Sequence, residues 1–458
     1  MLTNDSTTII AVEIGSSKIR GAIGSLSPEG TLTVQAVEEE PMTDWVRYGA
    51  VSNVEEVAGL TNRIIRKIEN RIAPRKIKNV YLNIGGRSLC TLPRQVEQTF
   101  AEETEITTPI LDQLITDARE GSPYADRDTL MVVPCRYAVD NIAIAVPRGT
   151  VGQTIKMWAN LVTCRPQTRR NLERIFTDKL KLSIAGMKVR PIAIADAVLH
   201  DEEKRLGCML VDFGAETTTV AIFKQGTLQY LVTLPMGSRH ITRDIQTLNY
   251  TEERAEELKR KVGSASSPLM SGGAQASSTP ADYTTLNNYV LHRAAEIIAN
   301  IKNQLKLSGF APSDLPGGII IVGGGARLAG FNNRLATALT MNIRLGSIDT
   351  TYVRFADGRI SPTDSADILA LLMAAAAGAE ECTYRPAPAQ PVQQPAQPVQ
   401  QPIQQPVQQQ PVQQQPIAEP APEEKPHKSE RVSFLDRIKN WTERIMTEEP
   451  EDNDLRDD

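Results

Sequence analysis

Val211-Asp212-Phe213-Gly214-Ala215-Glu216-Thr217-Thr218-Thr219-Val220-Ala221-Ile222-Phe223 is the stretch whose reading decides the fold. It runs apolar, bends through Gly214 and runs apolar again from Val220, which predicts a hairpin with an acid at the end of its first strand. Gly214 lets backbone amides come close to a ligand, and Thr217 and Thr218 add hydroxyl donors, so the bend suits an anion. Acid-Gly-Thr bends also occur in ordinary hairpins, and on its own the stretch leaves both readings open.

A second copy narrows the choice. Ala11-Val12-Glu13-Ile14-Gly15-Ser16-Ser17-Lys18-Ile19-Arg20-Gly21-Ala22-Ile23-Gly24 repeats the plan of apolar strand, acid, glycine, hydroxyls and apolar strand. Late in the chain, Ile319-Ile320-Ile321-Val322-Gly323-Gly324-Gly325-Ala326 is an apolar strand that ends in a glycine turn. Together these make a two-lobed clamp on a nucleotide. The hairpins would hold phosphates and Mg²⁺ from opposite sides, and Gly323, Gly324 and Gly325 would lie under the adenosine, where the backbone must come close.

This three-part order resembles the actin/Hsp70/sugar-kinase superfamily. The resemblance implies a two-lobed actin-like α/β fold with ATP and Mg²⁺ as cofactors. Gly15, Ser16, Ser17 and Lys18 would serve the phosphates from one lobe, and Gly214, Thr217 and Thr218 from the other. Glu13 and Asp212 would hold the metal through water. Ala255-Glu256-Glu257-Leu258-Lys259-Arg260-Lys261-Val262-Gly263 resembles the superfamily's adenosine helix. Glu256 and Lys259 are three apart and share a face. There they would bond ribose hydroxyls while Arg260 lies against adenine; a solvated charged helix is the alternative.

Two departures from the superfamily pattern matter. Glu13 stands where Asp is usual, which keeps the charge but shifts a metal-bound water. The second hairpin has Ala215 and Glu216 where glycines are usual, and Thr219 where an acid is usual. Glu216 is expected to bring negative charge toward the phosphates, so phosphate binding is weakened or rearranged and no catalytic residue is assigned.

The chain has 458 residues, too many for one core, so two or more domains are expected. A net charge of −5, without a basic aromatic patch, argues against nucleic acid as a partner. Five scattered cysteines with no C-x-x-C pair suit free thiols in a reducing cytoplasm. The polar start, Met1 to Thr8, lacks the pattern of a signal peptide, and the richest apolar run, Ile368 to Ala377, is too short to span a bilayer.

Between about 86 and 166 the texture changes. Strands are expected at Gln95–Phe100, Thr129–Ala138 and Thr154–Thr163, with a helix at Ile110–Glu120, as a compact insertion. With Tyr137-Ala138-Val139-Asp140 and Val146-Pro147-Arg148-Gly149-Thr150-Val151-Gly152, this insertion resembles that of the FtsA family of actin-like bacterial cell-division proteins. That resemblance implies an organisation along the chain. Residues 1–85 begin lobe 1, 86–166 form the inserted subdomain and 167–206 continue lobe 1. Residues 207–345 form lobe 2, with a partner-binding subdomain at about 246–308, and 346–383 return to lobe 1. Within lobe 2, helix Asn288–Ser308 has apolar residues at a 3.6 period. Arg293 and Glu296 on its exposed side match positions at which the family receives the C-terminal tail of the tubulin-like ring protein FtsZ. A plain solvated ion pair fits the same spacing.

From 384 to 430 the sequence is a Pro-Val-Gln-Gln tract that builds no core and reads as a disordered linker. As a flexible coil its ends would lie roughly 40 Å apart, and fully extended about 140 Å. At 431–447, Phe434, Leu435, Ile438, Trp441 and Ile445 form one apolar stripe flanked by Arg431, Arg437, Lys439 and Arg444. Tethered this far out, the stripe reads as an in-plane helix on anionic lipid of the cytoplasmic membrane. An acidic tail, 448–458, follows.

The function these features imply is an adaptor. It binds ATP, self-associates into dimers or filaments, touches other division proteins and holds the FtsZ ring to the inner face of the membrane at the septum. A scaffold that has lost nucleotide binding and an ATP-dependent kinase of the same superfold are the alternatives.

Overall fold

The computed structural model describes residues 6–42, 44–266, 282–351 and 353–386. Most of the expected linker, the membrane-targeting stripe from Phe434 to Ile445 and the acidic tail lie outside the described residues.

Lobe 1 begins with β1 (Thr7–Ile14), β2 (Lys18–Leu26) and β3 (Leu32–Pro41), then the two-residue strands β4 (Val46–Arg47) and β5 (Ala50–Val51). Helix α1 (Val54–Ile72) follows, with the short β6 (Lys76–Ile77) and then β7 (Asn79–Ile84). The α1 helix starts where the Asn53 side chain accepts bonds from the Glu55 and Glu56 amides. Its buried residues Val57, Thr61, Ile64, Ile65 and Ile68 make one stripe against the sheet.

The insertion comprises β8 (Cys90–Glu105), α2 (Thr108–Glu120), β9 (Asp128–Val139), β10 (Ile142–Ile144) and β11 (Val151–Cys164). It has its own apolar core, with Val96, Ile106, Leu114, Ala118, Ile155, Met157 and Leu161. Its first strand is far longer than the expected Gln95–Phe100, because β8 pairs along nearly all its length with β11. At Cys90↔Val232 that strand also meets the second lobe, so the insertion's sheet runs on into the lobe 2 sheet.

The chain returns through α3 (Pro166–Glu173), a π-helical turn (Arg174–Lys179), β12 (Ser183–Val189), α4 (Arg190–Val198) and α5 (Asp201–Leu206). Lobe 2 then holds β13 (Cys208–Phe213), β14 (Thr218–Lys224), β15 (Thr227–Leu234), α6 (Ser238–Gln246), α7 (Glu252–Lys261) and α8 (Asp282–Leu307). After these come β16 (Ile319–Val322), α9 (Phe331–Leu339), β17 (Ile343–Leu345), β18 (Val353–Phe355), α10 (Ala366–Ala376) and β19 (Thr383–Tyr384).

The lobe 1 sheet runs β12-β7-β1-β2-β3-β18, with β1–β2 an antiparallel hairpin and β7 parallel to β1. Gly21 faces Ile64 and Ile68 of α1, and Gly24 faces Leu372 of α10. Positions three apart on a strand fall on opposite faces, so these two helices sandwich the sheet. This explains the apolar run from Ile368, which is a buried helix rather than a membrane segment. Along β13, Cys208 and Leu210 enter the lobe 1 core while Met209, Val211 and Phe213 enter the lobe 2 core. A strand covered on both faces reads as continuously apolar, as this one does.

Candidate functional site

Both bends form where expected. In the first, the Gly15 amide donates to the Lys18 carbonyl at 3.0 Å, and in the second the Gly214 amide donates to Thr217 at 2.9 Å. The amides of Ser16, Ser17 and Ala215 donate to no acceptor among the described residues, which leaves them for an anion. The carbonyls of Gly214 and Ala215 accept instead from the Ser238 and Arg239 amides, which fixes the start of α6 behind the second bend. The glycine turn closes on the same place. Gly323 has φ +90, and a Cβ there would meet the Phe213 carbonyl and Asp212 Oδ1; a Cβ on Gly325 would meet the Phe213 ring. Gly324 faces open space. These groups fit the phosphates and nucleoside of a nucleotide.

The floor between the bends differs from expectation. Arg20 lies opposite Glu13 in the β1–β2 register, and its Nε and Nη2 donate to Glu13 Oε2 at 3.1 and 2.7 Å. Arg20 Nη2 also lies 2.7 Å from Asp367 Oδ2, and Nη1 donates to the Asp364 carbonyl at 3.2 Å. Arg190, the first residue of α4, places Nη1 3.3 Å from Glu13 Oε1 and Nη2 2.9 Å from Asp367 Oδ2. The same Nη2 is 3.1 Å from Asp212 Oδ2. Glu13 and Asp212 are therefore buried partners of two guanidinium groups and not open metal ligands. Magnesium does not fit the residues present, which corrects the expected metal role of these two acids. Among the described residues no cluster of three or more metal-binding side chains occurs elsewhere.

Charge in this floor is uneven. Burial pushes the Asp212 carboxyl up to about 6; Arg190 pulls against the shift, but Asp367 and Glu13 add to it. Burial also opposes charge on Asp367, yet Arg20 and Arg190 outweigh it and hold that carboxyl at about 2.

Glu216 takes an unexpected role as well. It is almost fully buried, and its Oε2 accepts from the Tyr48 amide at 2.7 Å, while Oε1 accepts from Arg243 Nη2 at 2.7 Å. Arg239 Nη1 stands 3.5 Å from the same oxygen, and its Nη2 donates to the Met42 carbonyl at 3.4 Å. Tyr48 stacks on His240 with ring centroids 6.0 Å apart. Tyr48 and Met42 belong to lobe 1 and the others to lobe 2, so Glu216 latches the lobes together and its charge is neutralised there.

Other expected contacts go elsewhere. Lys18 pairs with Glu39 at 2.6 Å on the half-exposed edge of β2. The Thr218 hydroxyl donates to the Met236 carbonyl at 2.7 Å. Lys259 is buried, and its ammonium donates to Ser238 O and Thr242 Oγ1 of α6 and to Glu256 Oε2 of its own helix, so two protons tie α7 to α6, the third is held by Glu256 and none is left for a ribose. Glu256 also accepts from Thr242 and from Arg260 Nε, while Arg260 itself lies exposed. Arg293 is only partly exposed. It forks onto both oxygens of Asp244 on α6 at 2.6 and 2.9 Å and reaches Glu296 at 2.6 Å. Only Glu296 of that pair is exposed as expected.

Arg20 was legible once the hairpin register is drawn, because the bend at 15–17 sets residue 20 across from residue 13. Arg190, Asp367 and Tyr48 carry no such local signal, since the chain brings them in from distant segments.

The fold and this cleft define an actin-like protein with a subdomain inserted into its first lobe. A family model described as "Cell division protein FtsA" matches residues 209–370, and one described as "SHS2 domain inserted in FTSA" matches residues 86–163. The cell division protein FtsA of Porphyromonas gingivalis is 30% identical over 370 residues, which cover 78% of this chain and 77% of that protein. The FtsA of Pseudomonas aeruginosa is 25% identical over 348 residues, covering 74% and 82%. Among solved structures, a PilM–PilN type IV pilus biogenesis complex superposes with a TM-score of 0.55 at 18% identity, over 80% of this chain and 98% of its own. The chain belongs to the FtsA family of cell division proteins.

Proposed function

We propose that this chain is a cell-division adaptor that binds ATP in its cleft, self-associates and tethers the FtsZ ring to the inner face of the cytoplasmic membrane as a peripheral protein at the septum. The observation that carries this reading is family membership spread over most of the chain, both lobes and the inserted subdomain included. Bound nucleotide supplies a polyphosphate anion that both bends share, and so favours one arrangement of the lobes for assembly. This reading is supported by the amides of Ser16, Ser17 and Ala215, which have no acceptor among the described residues, and by the open space at Gly324. The surface of α8 around Glu296 is the place for the FtsZ C-terminal tail, and the apolar stripe at 431–447 is the part that meets anionic lipid.

The test is flotation with vesicles of anionic phospholipid. Purified FtsZ should float with the vesicles when the full chain is present, and should stay behind when the chain lacks residues 431–458. FtsZ that floats equally well with the shortened chain would overturn the tether.

One observation favours a second reading, a scaffold that no longer binds nucleotide. The Glu216 latch and the guanidinium pair already hold the lobes together by protein contacts alone. Tethering that persists in a chain with no affinity for ATP would select that reading.

A further inference from the structure

Arg20 and Arg190 occupy the centre of the cleft floor, and the superfamily resemblance gives them no role. Arg20 joins Glu13 to Asp367, and Arg190 joins Glu13, Asp367 and Asp212. Glu13 and Asp367 belong to lobe 1 and Asp212 to lobe 2, so one guanidinium links the two halves of the clamp. A cation shared by two phosphate-binding bends would make the same link.

The surroundings leave no room for both. The two oxygens of Glu13 face different guanidinium groups, and the nearest cation to Asp212 is Arg190. A divalent ion placed there would have to displace a guanidinium from the carboxylates it already pairs, in an interior that screens their mutual repulsion poorly. Burial works against the charge on each arginine, but the carboxylates around them outweigh it, and both are held even more firmly protonated than usual. Their positive charge is permanent and needs no ion to maintain it.

A guanidinium is also suited to phosphate. It is planar and forked, and it matches phosphate oxygens as it matches carboxylate oxygens. Arg190 keeps one spare donor: its Nε is buried and has no acceptor among the described residues. A buried donor of this kind is unfavourable unless something accepts from it. The unpartnered amides of Ser16, Ser17 and Ala215 lie in the bends on either side.

We propose that Arg20 and Arg190 stand in place of the divalent cation, so that this cleft takes the phosphates of a nucleoside di- or triphosphate as the metal-free anion. The proposal rests on the nucleotide reading above and adds to it the form of the ligand. Nucleotide binding and lobe closure then follow nucleotide concentration and not the level of free Mg²⁺.

The test is titration of the full chain with a fluorescent ATP analogue, once in excess Mg²⁺ and once in excess EDTA. The dissociation constants should agree within about twofold. Binding that weakens tenfold or more in EDTA would overturn the substitution and leave the nucleotide reading intact. Binding in neither buffer would overturn both. Arg190→Gln supplies the second measurement. It frees the Asp212 carboxylate and Glu13 Oε1, so the variant should acquire a metal requirement, binding about tenfold more tightly in Mg²⁺ than in EDTA. A folded variant that stays indifferent to the metal would overturn the role of Arg190 as the cation. Circular dichroism establishes folding, and if the variant is unfolded the wild-type comparison decides alone.

Discussion

Asp212 is the residue on which the electrostatics of the cleft floor turn. Three carboxylates share two guanidinium groups, so one acid is left without a full counter-charge, and burial makes Asp212 that acid. Its carboxyl is raised from an ordinary 3.8 to about 6. A raised carboxyl favours the folded state while it is protonated. The contribution is fully present below about pH 4 and is lost as the pH climbs through about 6. Asp212→Asn is neutral at every pH and escapes that loss. The melting temperature of the variant minus that of wild type should therefore rise by about 2 °C between pH 5 and pH 7.5. Parallel melting curves across that range would show that Asp212 is not raised. The sequence made Glu13 and Asp212 conspicuous, because an acid before a glycine bend is a local pattern. It could not show their partners. Arg190 is 22 residues from Asp212, and Asp367 lies 354 residues from Glu13, so only the closed fold brings these charges together. The same distance hid the destination of Glu216, whose charge looked like an obstacle to phosphate and is in fact neutralised by Arg239 and Arg243 and hydrogen-bonded by the Tyr48 amide.

At the scale of elements, the periodic helices were legible and the polar strands were not. Of the α8 stripe, Val290, Ala294, Ile297, Ile298, Ile301 and Leu305 are buried as the spacing predicts, while Leu291 at its margin is only half-buried. The sequence pattern shows only the middle of β8, because Glu102, Glu103, Thr104 and Glu105 at its far end are polar and Pro93 and Arg94 precede Gln95. Its full length is set by pairing with β11, a partner far along the chain. The exposed side of α8 divides in two. Arg293 forks onto Asp244 and so fastens α8 to α6, while Glu296 is exposed and pairs with Arg293 alone among the described residues. The two charge reversals therefore separate stability from binding. Arg293→Glu removes a bidentate pair and sets two acids together, and urea denaturation should show a loss of about 2 kcal/mol. Glu296→Lys disturbs only an exposed pair and should change stability by no more than about 0.5 kcal/mol. A peptide copy of the FtsZ C-terminal tail should bind both variants more weakly than wild type. Only the Glu296→Lys result is free of a folding cost, and undiminished binding by that variant would move the partner site off this face of α8.

At the scale of the whole molecule, the proposed tether needs a folded body, a long Pro-Gln tract and a short apolar stripe to act together. No helix among the described residues is long and apolar enough to cross a membrane. If the five apolar residues Phe434, Leu435, Ile438, Trp441 and Ile445 meet lipid as proposed, their reach is comparable to that of a single acyl chain, which binds marginally and reversibly. One molecule should thus visit a vesicle only briefly. Assembly of the bodies, as proposed, would place many stripes over one surface, and each bound stripe would raise the local concentration of the next, so residence would grow without any new contact. On the proposed tether, a Pro-Gln tract of some forty residues in the sequence would let every stripe reach lipid from an assembly, whatever the facing of its body. Trp441→Glu puts a charge in the middle of the stripe and removes its largest interfacial side chain. Vesicle flotation should fall by about tenfold or more for this variant, while its affinity for the ATP analogue stays at the wild-type value. Added salt should weaken wild-type binding to anionic vesicles only in part, because burial of the apolar face is not screened. A Trp441→Glu protein that floats as well as wild type would remove the stripe from the tether and leave the membrane contact to be sought on the folded body.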